Sequence, residues 1–262
     1  MSVEITLQGK KAIVTGAGKG IGRAIALRLA EAGAQLVLVG RTEKNLDETA
    51  AKIRAEYSAA GVDCIQLDIS RAEKIPAVVE EAISFLGGVD ILVNDAAVNY
   101  RETSFNVDLD HWDAVFNTNL KGTFLMAREC AKCMIGAGRG GAIVNIGSEL
   151  SFVGVNEGQV AYSISKAGIN QLSRVIGSEW AKFGIRVNTV IPCFTETPLV
   201  TELLEKPGYK EKYTSDIPLG RLAKPEDVAN ACLFMVSDMG SFITGETLLV
   251  DGGYTNMRLV VK

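Results

Sequence analysis

The sequence predicts an α/β protein with a doubly wound, mostly parallel sheet of seven strands and helices on both faces. Short β-branched runs alternate along the chain with longer amphipathic stretches. Most of the short runs are continuously apolar, which is typical of parallel strands buried on both faces. The connections are short, so right-handed βαβ units are expected. The 262 residues contain no linker, repeat or low-complexity segment, and we expect one domain over residues 1–262.

Seven strands and six helices are expected in alternation. The predicted strands are Ala12–Thr15, Gln35–Val39, Val62–Leu67, Ile91–Asn94, Ala142–Ile146, Arg186–Ile191 and Leu248–Val250. The predicted helices are Ile21–Ala32, Glu43–Ala60, Arg71–Leu86, Asp110–Ile135, Val160–Phe183 and Pro225–Ser237. Thr42 and Ser70 are expected N-caps of the second and third helices. Helix ends are indicated by Gly33, Gly61 and Gly184.

One long stretch, about residues 192–219, has no regular pattern and contains Pro198, Pro207, Gly208 and Pro218. We expect a flexible loop there. A loop outside the carboxyl ends of parallel strands is well placed to cover a ligand.

Composition excludes several classes of function. The net charge is −4 with acids and bases interspersed, so no basic stripe is present and nucleic acid is not expected as a partner. No signal peptide is visible, and no apolar stretch approaches the ~18 residues of a membrane span. We therefore expect a soluble cytoplasmic protein that binds no membrane.

The cysteines and the histidine give no sign of a metal site or a disulfide framework. The cysteine count is odd, five, and the C-x-x-C of Cys130 and Cys133 has no second pair. His111 is the only histidine, so a closed zinc site lacks ligands and Ser-His-Asp hydrolysis has little support. We expect buried helical thiols and no bound metal.

A glycine-rich turn follows the first predicted strand and opens the first helix, with Gly16, Lys19, Gly20, Ile21 and Gly22. Glycines here allow a tight turn and bring backbone N–H groups close to a pyrophosphate at the positive end of the helix. The strand–turn–helix context therefore predicts a dinucleotide site.

The end of the second strand indicates which dinucleotide binds. An acidic residue there would bind the ribose diol of NAD, but the chain has Arg41 and Thr42 instead. Two cations, Arg41 and Lys19, would attract a 2′-phosphate, so NADP(H) is the expected cofactor. After the third strand, Asp68 and Ile69 are placed to meet the adenine ring.

Tyr162 and Lys166 are four residues apart, which on a helix puts the phenol and the ammonium on one face. A neighbouring cation favours the phenolate, so we expect the pKa of Tyr162 to fall from about 10 towards values that suit acid–base catalysis. Ser148 lies upstream after an apolar run.

With these motifs the chain resembles the short-chain dehydrogenase/reductase family from Gly9 to Tyr254. The family's T-G-x-x-x-G-x-G matches Thr15 to Gly22, and its catalytic Asn, Ser, Tyr and Lys match the four residues Asn119, Ser148, Tyr162 and Lys166. Its P-G-x-x-x-T motif corresponds to 192–197.

The resemblance implies a Rossmann fold and a hydride transfer between the nicotinamide of NADP(H) and a carbonyl carbon. Tyr162 would donate the proton, Ser148 would stabilise the oxygen, Lys166 would hold the nicotinamide ribose, and Asn119 would support a proton path. Further cofactor contacts are implied for Asn94, Ala96, Pro192, Thr195 and Thr197, beside those of Tyr162 and Lys166. A homotetramer is implied as well.

The chain departs from the family pattern at three positions. The usual N-N-A-G reads Asn94-Asp95-Ala96-Ala97 here, so Asp95 loses an amide donor and Ala97 adds a methyl near the cofactor. Cys193 replaces a glycine, which would either narrow the nicotinamide pocket or expose a thiol. We expect altered geometry and retained activity.

The leading interpretation is an NADPH-linked carbonyl reductase or alcohol dehydrogenase. A 3-oxoacyl-(acyl-carrier-protein) reductase would need a basic docking patch, for which Lys132, Arg139 and Lys182 are candidates. A sugar or polyol dehydrogenase fits about as well, and a sensor that only binds NADP(H) is the non-enzymatic alternative. The substrate choice depends on pocket residues such as Glu149, Phe152, Asn156, Gln159 and those of 198–215.

Overall fold

All seven predicted strands are present, each within one residue of its expected ends. The computed structural model describes residues 5–57, 61–154, 158–197, 200 and 208–259. The strands are β1 (Lys11–Thr15), β2 (Gln35–Gly40), β3 (Val62–Gln66), β4 (Ile91–Asn94), β5 (Gly141–Ile146), β6 (Ile185–Pro192) and β7 (Thr247–Val250). They form one parallel sheet in the order β3-β2-β1-β4-β5-β6-β7, which confirms the predicted doubly wound class.

The helices connect successive strands. They are α1 (Gly20–Glu31), α2 (Glu43–Glu56), α3 (Ile75–Leu86), α4 (Leu109–Val115), α5 (Thr123–Ala137), α6 (Val160–Trp180), α7 (Tyr209–Ser215), α8 (Pro225–Val236) and α9 (Tyr254–Leu259). None of the described helices is long and apolar enough to cross a membrane.

The two faces of the sheet carry separate cores, because successive strand residues point to opposite sides. Ala12 and Val14 of β1 pack with α1, α2 and α8, whereas Ile13 between them packs with α3, α5 and α6. All three side chains are fully buried. This explains why the strands read as continuous apolar runs rather than as alternating ones.

The end of the second predicted helix and the start of the third are wrong. Helix α2 ends at Glu56, with Tyr57 as its C-cap, and not at Ala60 before Gly61. Ser70 is not the N-cap of α3, because its N–H is bound by the side chain of Asp68 and a 3₁₀ turn over Ala72–Lys74 precedes the helix. Helix α3 begins at Ile75, with proline in its first turn, where a fixed φ suits the start of a helix. Thr42 does precede α2 as its N-cap, although its side chain makes no capping hydrogen bond.

The helix predicted over Asp110–Ile135 is divided into three parts. A π-helical segment over Phe116–Gly122 separates α4 from α5. Such segments are rare and often mark functional sites. The predicted catalytic residue Asn119 lies within this one.

The loop predicted over 192–219 contains some regular structure. Strand β6 extends to Pro192, Thr195 forms an isolated bridge with Ala223, and α7 covers Tyr209–Ser215. Residues 198–199 and 201–207 lie outside the described part of the chain, so the flexibility of this loop stays a prediction.

Candidate active site

The site lies at the carboxyl edge of the sheet, where the strand order reverses between β1 and β4. In open parallel sheets the loops on either side of such a reversal diverge and leave a crevice. The side chain of Thr15, at the end of β1, spans the reversal. Its Oγ1 accepts the backbone N–H groups of Asp95 at 3.2 Å and Ala96 at 3.3 Å.

The glycine turn after β1 needs glycine for two reasons. Gly16 has φ +72°, a left-handed conformation that L side chains avoid. A Cβ at Gly16 would also lie 2.7 Å from the backbone nitrogen of Ala96. The turn therefore brings bare backbone against the end of β4, and α1 begins directly after it with Lys19 as its N-cap.

A cavity of about 290 Å³ opens beside this turn. Its lining is Gly16, Lys19, Gly40, Arg41, Leu67, Asp68, Ile69, Asp95, Ala96, Ala97 and Thr118. Six of the predicted cofactor residues are among these: Gly16, Lys19, Arg41, Asp68, Ile69 and Ala96. Gly40, Leu67 and Thr118 also line the cavity but were not predicted to do so, because none of them belongs to a motif. Gly40 ends β2, Leu67 follows β3, and Thr118 lies in the π-helical segment.

The other predicted cofactor residues lie around this cavity or away from it. Gly20, Ile21 and Gly22 form the first turn of α1, and Thr42 is an exposed N-cap. The side chain of Asn94 points into the interior, so the predicted contact of Asn94 with the cofactor stays a prediction that its backbone would have to fulfil. The side chain is buried, and its Nδ2 donates to Oδ1 of Asn145 at 3.0 Å, so it links β4 to β5 in the interior.

The segment after β6 approaches the glycine turn from the other side. Pro192 ends β6, and Thr195 is buried with its Oγ1 donating to the carbonyl of Cys193 at 2.8 Å. A Cβ on Gly20 would come within 3.2 Å of Cγ2 of Thr197. The structure thus brings Thr197 to the start of α1, as the predicted cofactor contact requires.

The four predicted catalytic residues come together beside the cavity. Ser148 follows β5 and caps the 3₁₀ turn Glu149–Ser151, where its Oγ accepts the N–H of Leu150 at 3.2 Å. Tyr162 and Lys166 lie one turn apart on α6, with Nζ of Lys166 5.7 Å from the centre of the Tyr162 ring. Ser148 and Tyr162 are within hydrogen-bonding reach of each other through their side chains.

Asn119 holds the loop after β4 against α6. Its amide forms both possible bonds with the backbone of Val98, accepting at 2.8 Å and donating at 3.0 Å. Its Nδ2 also donates to Oγ of Ser165 at 3.1 Å, and that hydroxyl donates to the carbonyl of Tyr162 at 2.7 Å. Asn119 is 1% exposed, so this chain of bonds is shielded from water.

The prediction that Lys166 lowers the pKa of Tyr162 is wrong. Burial of the hydroxyl and the nearby charge of Glu149 raise the pKa of Tyr162 well above its usual value, and Lys166 does not lower it. Lys166 is itself buried, its Nζ donates to the carbonyl of Ile146 at 2.7 Å, and burial lowers its pKa to about 8. The spacing of four residues predicted that Tyr162 and Lys166 lie close together. It did not predict that burial disfavours the charged form of each group and so shifts both pKa values.

Two departures from the family pattern have a definite outcome here. Burial raises the pKa of Asp95 to about 6, although Lys166 and a hydrogen bond from the N–H of Gly22 favour its charged form. The thiol of Cys193 is buried and donates to the carbonyl of Asp251 at 3.3 Å, and burial raises its pKa to about 12. Cys193 therefore does not expose a reactive thiol.

Polar groups surround the space next to Ser148 and Tyr162. Glu149 is 7% exposed and accepts the hydroxyl of Ser148. Gln159 accepts from Nδ2 of Asn99 at 2.7 Å, and a neighbouring cavity of about 490 Å³ is lined in part by Gln159 and Phe152. Asn156, also predicted for this pocket, lies outside the described residues.

The loop after β4 is tied down next to Gln159. Glu102 forms a bridge with Gln159, and its carboxylate lies 2.6 Å from Nδ1 of His111. The imidazole of His111 stacks on Tyr100 with 3.9 Å between ring centres. The described residues contain no cluster of histidine, cysteine and acidic side chains that would hold a metal ion.

Known proteins that are similar to this chain match it over nearly its whole length. A family model described as enoyl-(acyl carrier protein) reductase matches residues 16–255. A 3-oxoacyl-(acyl-carrier-protein) reductase of Aquifex aeolicus is 39% identical over 96% of this chain and 99% of its own length. An NAD-dependent glycerol dehydrogenase of Listeria innocua is 40% identical over 96% of each chain. A gluconate 5-dehydrogenase of Burkholderia cenocepacia, solved with NADP and tartrate, has a TM-score of 0.90 at 31% identity, covering 97% of this chain and 98% of its own.

Proposed function

The chain belongs to the short-chain dehydrogenase/reductase family of oxidoreductases, and we propose that it transfers a hydride between NADP(H) and a carbonyl group or secondary alcohol of a small substrate. One observation carries the proposal. The side chains of Ser148, Tyr162 and Lys166 come together near Asp95, which acts electrostatically on Tyr162 and Lys166 and lines the 290 Å³ cavity at the switch point of the sheet. That is where the family resemblance requires a proton donor, an oxygen-stabilising hydroxyl and a cation.

The residues present fit a dinucleotide. Gly16 brings backbone so close to the end of β4 that a Cβ would fill the space. Arg41 and Lys19 both line the 290 Å³ cavity, and both are at least partly exposed, so each can reach a phosphate at its mouth. Two cations and no acid at the end of β2 favour a 2′-phosphate over a free ribose diol. The NADP-bound gluconate 5-dehydrogenase supports this choice, while the NAD-dependent glycerol dehydrogenase makes a direct test necessary.

Bound NADPH would supply the hydride that a substrate carbonyl carbon accepts. Tyr162 would donate its hydroxyl proton to the carbonyl oxygen, and its raised pKa keeps it protonated at neutral pH, the form needed for reduction. Ser148 would donate a hydrogen bond to the same oxygen as charge develops. Lys166 would hold the ribose hydroxyls, and Asn119 keeps α6 and the loop after β4 in register.

Replacing Tyr162 by Phe tests the chemistry. We expect NADPH oxidation with a panel of ketones and keto-sugars to fall by about 10²–10⁴-fold, because the variant lacks the acidic proton. NADPH binding, followed by its fluorescence, should persist. Tyr57→Phe, which removes a hydroxyl at the end of α2, is the matched control and should keep its activity.

Activity that survives in Tyr162→Phe would contradict the mechanism. A wild type that binds NADPH tightly but reduces nothing on a broad panel would support the non-catalytic sensor instead.

Replacing Arg41 by Ala tests the choice of cofactor. We expect the ratio of kcat/KM for NADPH over NADH to fall by about 10-fold or more, because a hydrogen bond to a charged group contributes about 1.5–3 kcal/mol. Lys52→Ala removes an exposed cation from α2 that is not part of the cavity lining, and its ratio should match that of the wild type. An unchanged ratio in Arg41→Ala would show that Arg41 does not select NADPH over NADH.

For the substrate, the buried polar groups favour a small hydroxylated molecule. Glu149 and Gln159 offer acceptors and donors beside Ser148 and Tyr162, which suits a polyol or sugar better than an alkyl chain. The candidate docking patch for an acyl carrier protein is weak, since Lys132 pairs with Glu129 at 2.7 Å and Arg139 lies 3.8 Å from Asp90. The A. aeolicus relative keeps 3-oxoacyl thioesters as the second candidate class, to be included in the substrate panel. The homotetramer and the cytoplasmic location stay predictions.

A further inference from the structure

The hydroxyl of Ser148 is already engaged by a neighbouring acid. Its Oγ donates to Oε2 of Glu149 at 2.8 Å, and both residues are buried, with exposures of 5% and 7%. The same Oγ accepts the N–H of Leu150 at 3.2 Å, and the Tyr162 side chain lies within hydrogen-bonding reach. Glu149 therefore takes the serine proton, whereas Leu150 and Tyr162 lie at its lone pairs.

A serine hydroxyl has a single proton to donate. While Glu149 is a carboxylate, that proton points at Glu149, and Ser148 can offer only lone pairs to Tyr162 and to a substrate oxygen. Once Glu149 is protonated, its own O–H can donate to Oγ of Ser148. The serine proton is then released towards Tyr162 and the substrate.

From this geometry we infer that Glu149 is a positioning residue that sets the direction of the Glu149–Ser148–Tyr162 hydrogen-bond chain, so that Ser148 donates to the substrate carbonyl oxygen and favours its reduction when Glu149 is protonated. The inference rests on the proposed function. No bond to carbon forms or breaks in the switch. One proton passes between solvent and the Glu149 carboxyl, and the serine proton turns from one acceptor to the other.

The charges around Glu149 make this switch accessible near neutral pH. Burial raises the pKa of Glu149 to about 7, with a further contribution from Asp251 and an opposing one from the Ser148 hydroxyl. Glu149 in turn raises the pKa of Tyr162 and of Cys193. Both of those groups stay neutral in this range.

Two other groups of the site, buried Lys166 and partly buried Asp95, also titrate near neutral pH. Asp95 does so lower, at a pKa of about 6, and Lys166 higher, at a pKa of about 8. The substitution Glu149→Gln distinguishes the titration of Glu149 from theirs, because it leaves Asp95 and Lys166 in place.

The first test is the pH dependence of Glu149→Gln. In the wild type, kcat/KM for ketone reduction should fall about threefold between pH 6.5 and 7.5, because ionised Glu149 draws the Ser148 proton away from the substrate oxygen. The amide introduced by this substitution can donate to Ser148 at every pH, so reduction by Glu149→Gln should change by less than about 1.5-fold there. Glu246→Gln, an exposed acid before β7, is the control and should keep the wild-type profile.

A second test does not depend on activity. In protein labelled with ¹³C at the glutamate carboxyl carbons, one resonance should titrate near pH 7 in the wild type and be missing in Glu149→Gln. A Glu149 signal that titrates near pH 4, or a pH profile of Glu149→Gln identical to that of the wild type, would overturn the inference and leave the proposed function intact. A wild type without reductase activity would refute the proposed function, while the carboxyl titration would still report on Glu149.

Discussion

At the scale of single residues, two acids with raised pKa values, Asp95 and Glu149, distinguish this site from a simple Tyr–Lys pair. Asp95 accepts the N–H of Gly22 behind the glycine turn, and Glu149 accepts the hydroxyl of Ser148 in front of it. Both raise the pKa of Tyr162. Asp95 also favours the charged form of Lys166. The tyrosine thus stays a proton donor, while the lysine keeps more of its charge than burial alone would leave.

Asp95→Asn should stabilise the protein at alkaline pH. The pKa of Asp95 in the folded chain, about 6, lies above the ~3.9 of an unfolded aspartate, so ionisation costs folding free energy. That cost is absent below pH 4, grows up to pH 6 and is complete above it. We expect the free energy of unfolding of the variant to exceed that of the wild type by about 3 kcal/mol at pH 8 and by less at pH 5, measured by urea denaturation.

The matched control is Asp113→Asn, an exposed acid of α4, which should show no such difference between the two pH values. An Asp95→Asn variant that is equally stable or less stable than the wild type at pH 8 would show that the ionised carboxylate is better compensated than its burial suggests.

The locations of the candidate site residues were largely predictable from the sequence, whereas their pKa values were not. The spacing of Tyr162 and Lys166 and the positions of Arg41 and Lys19 indicated the right neighbourhood, because helix periodicity and strand ends fix where such side chains lie. The rise in the pKa of Tyr162 depends on burial and on Glu149, which approaches through a 3₁₀ turn. A sequence pattern does not contain those distances.

At the scale of elements, the glycine turn and the π segment do most to shape the crevice. The turn brings α1 against the end of β4, and the π segment directs Asn119 at both Val98 and Ser165. The strands were predictable because burial on both faces requires continuous apolar runs. The π segment was not, because one extra residue per turn leaves no mark in a helical pattern, and the predicted helix over Asp110–Ile135 ran straight through it.

Gly16→Ala should damage both stability and nucleotide binding. Gly16 shares its left-handed backbone with Gly138, the C-cap of α5, which has φ +64° and open space around it. Both alanine variants should lose about 1–2 kcal/mol from that conformation. Only Gly16→Ala also brings a methyl group to within 2.7 Å of the Ala96 nitrogen.

We therefore expect Gly16→Ala to unfold at a lower temperature than Gly138→Ala and to bind NADPH at least about tenfold more weakly. Thermal unfolding and fluorescence titration measure the two effects. Equal losses in the two variants would mean that the end of β4 gives way easily and that the close approach is not required.

At the scale of the whole molecule, exposed apolar side chains remain that the core does not use. Phe242 before β7 and Phe105 before α4 are almost fully exposed, at 103% and 98%, and Leu109 at the start of α4 is 74% exposed. Phe105 and Leu109 lie at the helix that follows β4, one of the helices through which the family resemblance implies subunit contacts. They support the predicted tetramer without testing it.

Light scattering after size exclusion measures the assembly. We expect a mass four times the 28.0 kDa of one chain, and a smaller species for Phe242→Ser, because that change removes apolar area available to a partner subunit. Phe85→Ser, at an exposed position of α3, is the control and should keep the wild-type mass. A wild type that runs as a monomer at micromolar concentration would contradict the prediction.

The hydroxyl of Thr15 has a consequence for how this enzyme can change. By holding the N–H groups of Asp95 and Ala96, it joins the β1–β3 side, on which we propose that the nucleotide is selected, to the β4–β7 side, on which we propose that the substrate binds. Mutations on either flank can then alter one preference while the other is preserved. Substrate scope and coenzyme choice are in that sense separately evolvable, and Thr15 keeps the two halves aligned while either one diverges.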